Sequence, residues 1–137
     1  MEKAYRAFGS ELSHEVTPLE AGMARFVDLD KGDFVGRTAL LARQEKPLQW
    51  KLAYLSIEAK DRDVIGAEPV YHKEKLVGSV TSGGFGHFVG KNLAFAYVEP
   101  PYAELNTELE VTMLGQAVKA KVLKAPAYDP TNQRLKA

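Results

Sequence analysis

The sequence predicts an α+β protein in which a small mixed α/β segment precedes a six-stranded antiparallel β-barrel. Before Pro47, glycine and charged residues alternate with short apolar runs, whereas after it strand patterns recur about every ten residues. A chain of 137 residues is the size of one domain, or of one small domain with an attached piece. We therefore divide the chain into residues 1–46 and 47–137.

The sequence of residues 1–46 predicts only short secondary-structure elements. Thr17 is a suitable N-cap with Glu20 at the third helical position, which is a capping-box pattern, and Gly22 would end that helix. A second helix begins at residue 33 or 36 and runs to about residue 44, where Pro47 stops it. The pattern also predicts two short strands, at residues 4–8 and 26–29.

The second part contains six strand candidates, at residues 50–57, 68–72, 75–82, 92–98, 108–114 and 116–123. The last two alternate apolar and polar residues, which predicts one buried and one solvated face. Gly115 lies between them, where a tight turn needs a positive φ. Residues 92–98 are apolar almost throughout, which predicts a strand covered on both faces. Six antiparallel strands of this length make a small barrel.

The composition excludes several classes of function. Lys plus Arg and Asp plus Glu both total 18, and a formal net charge of zero argues against nucleic-acid or acidic-membrane binding as the main role. The absence of cysteine excludes disulfides, thiolate nucleophiles and zinc–thiolate sites, and fits a cytoplasmic protein. We find no apolar run near the ~18 residues of a membrane span and no signal-peptide core.

The stretch of residues 83–90 is rich in glycine and is predicted to form a loop. It is not a P-loop, because Phe85 stands where the first glycine should be and Asn92 replaces the Ser or Thr that holds magnesium. The dinucleotide fingerprint fails at Val89, and a strand rather than a helix follows. We interpret the glycines as allowing another segment to approach closely, with direct ligand contact as the alternative.

Other candidate chemistry is sparse. Histidines stand at 14, 72 and 87 without metal-ligand spacing, and His87 has no neighbouring nucleophile or carboxylate that would make it a general base. The charged residues of interest are Glu20, Arg6, Arg25, Arg37 and Arg134. The arginines could bind a carboxylate ligand, and the alternative for each of the five residues is a surface ion pair.

Two blocks of sequence carry a resemblance to a known family. One is Thr-Ser-Gly-Gly-Phe-Gly-His at residues 81–87, followed by Gly90-Lys91 and an apolar strand ending Ala-Tyr-Val. The other comprises residues 17–22 and 29–37. In order and spacing the chain resembles the C-terminal barrel of the glycine-cleavage T-protein (aminomethyltransferase) family. Residues 2–9 and 128–130 resemble the branch fused to flavin-dependent dimethylglycine and sarcosine dehydrogenases.

The resemblance implies a parent enzyme that passes a one-carbon unit to tetrahydrofolate, with any FAD on a domain outside this chain. The family's catalytic aspartate, and its conserved glutamate with a Gly-Ala-Arg-Asp-Ser-Leu-Arg stretch, match no position here. We therefore expect a C-terminal fragment that begins within the middle domain, has the missing N-terminal domains as partners, and does not turn over alone.

The resemblance also implies five folate-binding residues: Tyr5, Phe8, Glu20, Phe85 and Arg134. The alternative is a non-catalytic barrel that acts as a binding or scaffold module. A third hypothesis, nucleic-acid binding by an OB-like barrel, is disfavoured by the zero net charge. Residues 1–46 would lack partner strands, so we expect exposed apolar surface and open strand edges that favour a homodimer.

Overall fold

The computed structural model describes residues 1–136 and confirms the six-stranded antiparallel barrel with few helices. The strands close in the order β1-β4-β3-β2-β5-β6. Their bounds are β1 Lys51–Ile57, β2 Pro69–His72, β3 Lys75–Gly86, β4 Lys91–Val98, β5 Glu108–Met113 and β6 Gln116–Val122. The described helices are α1, Arg37–Gln44, and two 3₁₀ turns, Ala24–Phe26 and Pro100–Ala103.

The β5–β6 hairpin follows the predicted alternation. Leu109, Val111 and Met113 are all at most 2% exposed and belong to the barrel interior. β5 ends one residue earlier than expected, because Leu114 and Gly115 both have positive φ, 49° and 78°. Positive φ at both central positions is the type I′ pattern, whose twist matches that of the flanking strands.

The glycine-rich stretch is mostly strand, which corrects the predicted loop. β3 continues to Gly86, and Gly83 and Gly84 pair with Ala94 and Leu93 of β4. The prediction that these glycines admit another segment is confirmed at Gly83, where an added Cβ would lie 1.9 Å from Val64 Cγ2. A side chain at Gly83 would displace Val64, which packs against β3.

Strand β4 is covered on both faces, as predicted. Ala94, Ala96 and Val98 point into the barrel, where they belong to the main core. Leu93 and Phe95 point outward and pack in a second cluster with Ala4, Tyr54 and partly buried Met1. Met1 and Ala4 therefore lie against the outside of the barrel.

Three predictions for residues 1–46 were wrong in detail. Neither residues 4–8 nor residues 26–29 form a strand; the first region turns at Ala4 (φ 52°), and the second is partly the 3₁₀ turn. The capping-box hydrogen bonds at Thr17 form, but they close a single turn and start no helix. The second helix is confirmed as α1, which begins after Gly36.

Candidate functional site

A cleft of about 480 Å³ opens between the N-terminal segment and the C-terminal tail. Residues from both ends of the chain line it together with the turn at residues 22–26. Its side chains combine aromatic surface with positive charge: they include Lys3, Tyr5, Arg6, Arg25, Phe26 and Asn132. The cleft is large enough for a small organic molecule.

Lys3 lines this cleft and joins the two ends of the chain. Its Nζ donates to the backbone oxygen of Asp129 at 2.8 Å and to the side-chain oxygen of Asn132, and it forms an ion pair with Asp129 at 3.4 Å. The positive charge of Lys3 is therefore already matched within the protein. Lys3 therefore tethers the N-terminal segment to the C-terminal tail.

Arg6 is held in the cleft by one hydrogen bond and by an aromatic ring. Its Nε donates to the backbone oxygen of Ala21 at 2.8 Å, and its guanidinium carbon lies 5.8 Å from the centre of the Phe95 ring. Burial lowers the pKa of Arg6, and the nearby charge of Arg25 lowers it further. Arg25 is exposed and lies over the Phe26 ring at 4.7 Å.

The buried carboxylate of Glu11 holds the N-terminal segment on the barrel. It is 1% exposed, and its Oε1 accepts hydrogen bonds from the hydroxyls of Thr81 and Ser82, both at 2.6 Å. Its Oε2 accepts the Ala7 N–H at 2.9 Å, and its backbone oxygen accepts the Tyr97 hydroxyl at 2.7 Å. The hydroxyl pair of the resemblance motif therefore binds a carboxylate of the protein itself.

Glu2 makes a second connection, to the turn after β3. Its Oε1 accepts the backbone N–H groups of Phe88 and Val89 at 2.6 and 3.0 Å, and its backbone oxygen accepts the Tyr128 N–H. The Arg134 guanidinium lies 5.8 Å from the rings of both Phe88 and Tyr128. The C-terminal tail thus reaches the turn after β3, where Arg134 meets Phe88.

The five residues implied by the resemblance do not converge. Tyr5 is 69% exposed and lines the cleft. Phe8 is 92% exposed and lines a different groove, while Phe85 is 44% exposed and contacts the ring of His87. Arg134 lies over the aromatic pair described above, and Glu20 is buried.

Glu20 is fully occupied by contacts within the protein. Its Oε2 accepts the Thr17 N–H and hydroxyl at 2.9 and 2.8 Å, and its Oε1 accepts from Arg43 at 2.9 Å. Burial opposes ionisation, but these donors outweigh it and hold the pKa of Glu20 below its ordinary value. Its backbone oxygen also accepts the Leu52 N–H, so Glu20 links the turn at Thr17 to β1 and α1.

Sequence reasoning missed Lys3, Asn132 and Glu11. Lys3 and Asn132 are 129 positions apart, so no local pattern could bring them together. Glu11 stands in a polar stretch that looks solvated, and nothing in its neighbourhood signals burial. The arginines of the cleft, Arg6 and Arg25, were recognised as candidates for carboxylate binding, although their proximity was not.

An apolar groove of about 290 Å³ lies beside the cleft on the N-terminal segment. Its exposed side chains include Phe8 and Phe26, at 92% and 64% exposure. The other apolar lining residues are Leu12, Val16, Pro18, Ala21, Met23 and Val27. The predicted exposure of apolar surface in residues 1–46 is therefore confirmed, although no strand edge of this region accompanies it in residues 1–46.

Within residues 1–136, no group of three or more His, Cys, Asp or Glu residues could hold a metal ion. No helix in this part of the chain is long and apolar enough to cross a membrane.

Sequence comparison relates this chain to much longer enzymes. Residues 51–129 match the family model of the glycine cleavage T-protein C-terminal barrel domain. The chain is 39% identical over 138 aligned positions to the mitochondrial dimethylglycine dehydrogenase of Rattus norvegicus, covering 98% of this chain and 16% of the relative. It is 40% identical over 130 positions to an aminomethyltransferase of Listeria welshimeri, covering 93% and 35%.

Structural comparison gives the same fold. The crystal structure of the glycine cleavage system aminomethyltransferase T from Bartonella henselae superposes with a TM-score of 0.86 at 22% identity, over 94% of this chain and 37% of that chain. The chain thus spans between 16% and 37% of these relatives. Because the family model covers more than half of its residues, the chain belongs to the glycine cleavage T-protein C-terminal barrel family.

Proposed function

We propose that this chain is the C-terminal part of a tetrahydrofolate-dependent enzyme of the aminomethyltransferase or dimethylglycine/sarcosine dehydrogenase type. The observation that carries the proposal is a cationic, aromatic cleft on a member of this family. In the proposal, the parent enzyme passes a one-carbon unit to tetrahydrofolate, and any FAD is bound by a domain outside this chain. The chain alone binds but does not catalyse.

In this proposal the chain supplies one wall of the folate site. Tyr5 contacts the ligand directly, since it is exposed and lines the cleft. Phe8 and Phe85 present aromatic faces outside the cleft, to the ligand or to the missing N-terminal domains. Glu20 and Arg134 act through the protein, because both are already engaged by neighbouring side chains.

The proposed domain division places residues 1–46 in the trailing part of a folate-binding middle domain and residues 47–137 in the barrel domain. We further propose that the protein works in the cytoplasm. The rat relative is described as mitochondrial, so a compartment assay on the whole parent protein is the appropriate test.

Calorimetric titration with reduced tetrahydrofolate tests the proposal. We expect saturable binding with a Kd below about 1 mM, which corresponds to roughly −4 kcal/mol. Tyr5→Ala should weaken binding, whereas Leu105→Ala, an exposed residue that does not line the cleft, should not. If the chain gives no heat of binding but the longer parent protein does, the folate site belongs to the upstream domains.

A second candidate, a non-catalytic scaffold module, is favoured by the apolar groove. Exposed Phe8 and Phe26 suit a surface that another domain of the parent covers. A separately produced N-terminal region of the parent should then bind this chain, and Phe8→Asp should abolish binding without unfolding the barrel. We also propose a homodimer whose interface is this apolar groove, in place of open strand edges. Light scattering that shows a monomer at high protein concentration would refute it.

A further inference from the structure

Two guanidinium groups of the cleft have no acidic partner in the part of the chain that the structure describes. Arg6 and Arg25 both line the cleft, and none of its described lining residues is Asp or Glu. Lys3 differs, since Asp129 balances its charge. The protein as a whole carries a formal net charge of zero, so this local excess of positive charge is a property of the cleft.

The carboxylate that attracts Arg6, that of Glu11, already accepts hydrogen bonds from other groups. Glu11 attracts Arg6 electrostatically, but its carboxylate accepts hydrogen bonds from Thr81, Ser82 and Ala7. Arg25 acts on Arg6 in the opposite sense, as a like charge. Two cations that face one half-enclosed cleft repel each other, and a bound anion relieves that repulsion.

The geometry leaves donors free for such an anion. The Nε of Arg6 is used by Ala21, which fixes the plane of the guanidinium and leaves its terminal nitrogens for another acceptor. Arg25 is exposed and stacked on Phe26, so its nitrogens are accessible at the rim. A guanidinium fork matches the two oxygens of a carboxylate, and aromatic faces beside it suit a ring.

We propose that Arg6 and Arg25 form a carboxylate-binding subsite of the cleft, and that its ligand is an aromatic compound carrying carboxylates. The proposed function identifies that compound as a reduced folate, and the inference rests on it to that extent. The subsite itself is defined by the two arginines, so small polycarboxylates without a ring should also bind there.

Calorimetry with two probes separates the subsite from the folate assignment. The probes are 5-formyltetrahydrofolate and citrate, each titrated into the chain at matched ionic strength. Arg25→Ala should weaken the binding of both probes about tenfold, as expected for one charge-assisted contact. Arg25→Lys should keep part of the affinity that Arg25→Ala loses, because it keeps the charge. Arg6→Lys removes the guanidinium fork at the half-buried position and should also weaken the binding of both probes.

Lys46→Ala is the matched control, because it removes one positive charge from an exposed position that does not line the cleft. Citrate binding that depends on Arg25 and not on Lys46 supports the subsite, even when folate fails to bind and the proposed function falls. Folate binding that is unchanged in Arg25→Ala and Arg6→Lys overturns the subsite and leaves the proposed function standing. Binding of neither probe overturns both.

Discussion

Replacing Glu11 tests whether its buried carboxylate holds the N-terminal segment on the barrel. Glu11→Ala removes the acceptor of three donors, Ala7 N–H and the hydroxyls of Thr81 and Ser82, in a residue that is 1% exposed. Hydrogen bonds to a charged group contribute about 1.5–3 kcal/mol each, and they are not additive. We expect Glu11→Ala to lower the free energy of unfolding by about 4 kcal/mol.

Glu11→Gln is the sharper variant, since it keeps the shape. One amide oxygen can still accept the two hydroxyls, but the amide nitrogen would face the Ala7 N–H, donor against donor. We expect a loss of about 1.5–2 kcal/mol. Glu74→Gln, at an exposed turn position, is the matched control.

Urea unfolding followed by the fluorescence of Trp50 measures these losses, and amide hydrogen exchange shows where they fall. In Glu11→Gln, exchange should accelerate in residues 1–22 before the barrel strands respond. A Glu11→Gln protein as stable as Glu74→Gln, with unchanged exchange in that segment, would refute the carboxylate as the attachment.

Three further outcomes follow from packing and ionisation. Gly83→Ala should lower the free energy of unfolding by about 2–3 kcal/mol, because its methyl group would meet Val64. Gly84→Ala is the control and should be near neutral in the same urea assay, because its methyl group would lie 3.8 Å from Met1 Cγ. Equal losses in the two variants would contradict this. Because the pKa of Glu20 is lowered from 4.5, its stabilisation is present above that pH and lost as pH falls through the folded-state pKa. The stability gap between wild type and Glu20→Gln should therefore close on acidification, and a gap that widens would be inconsistent with the ion pair. Burial raises the pKa of Tyr97 to about 12. The contribution of the neutral Tyr97 phenol to folding stability is therefore complete below about pH 10 and is lost as the pH rises through about 12. In Tyr97→Phe, tyrosinate absorbance should show one fewer phenol that titrates late.

The barrel could be predicted because its information is local. Alternation in β5 and β6 and the continuous apolar run of β4 each specify burial within a few residues, and the type I′ turn needs only Gly115 and its neighbour. The sequence predicts that β3 ends at residue 82, because glycine usually weakens a strand. In the structure β3 continues to Gly86, and Gly83 is required because Val64 packs against it.

The cleft could not be predicted, because its residues come together only in the folded chain. The local pattern at Thr17 specified its hydrogen bonds with Glu20 correctly, yet not that Arg43 would complete them. Burial of Glu11 depends on hydroxyls 70 and 71 positions away. The resemblance to a family therefore identified the fold and the family, while the positions of its implied ligand residues required the structure.

The tether between Lys3 and Asp129, 126 positions apart, has a kinetic consequence. Contacts of such separation carry the largest loop-closure cost and form late, after the barrel has brought the chain's distant parts together. A chain in which residues 128–136 have not yet docked still has all six strands and Ala125 and Pro126 of the cleft, but it lacks Pro130 and Asn132 there. The proposed ligand binding would therefore report the docking of this segment, which follows the folding of the barrel.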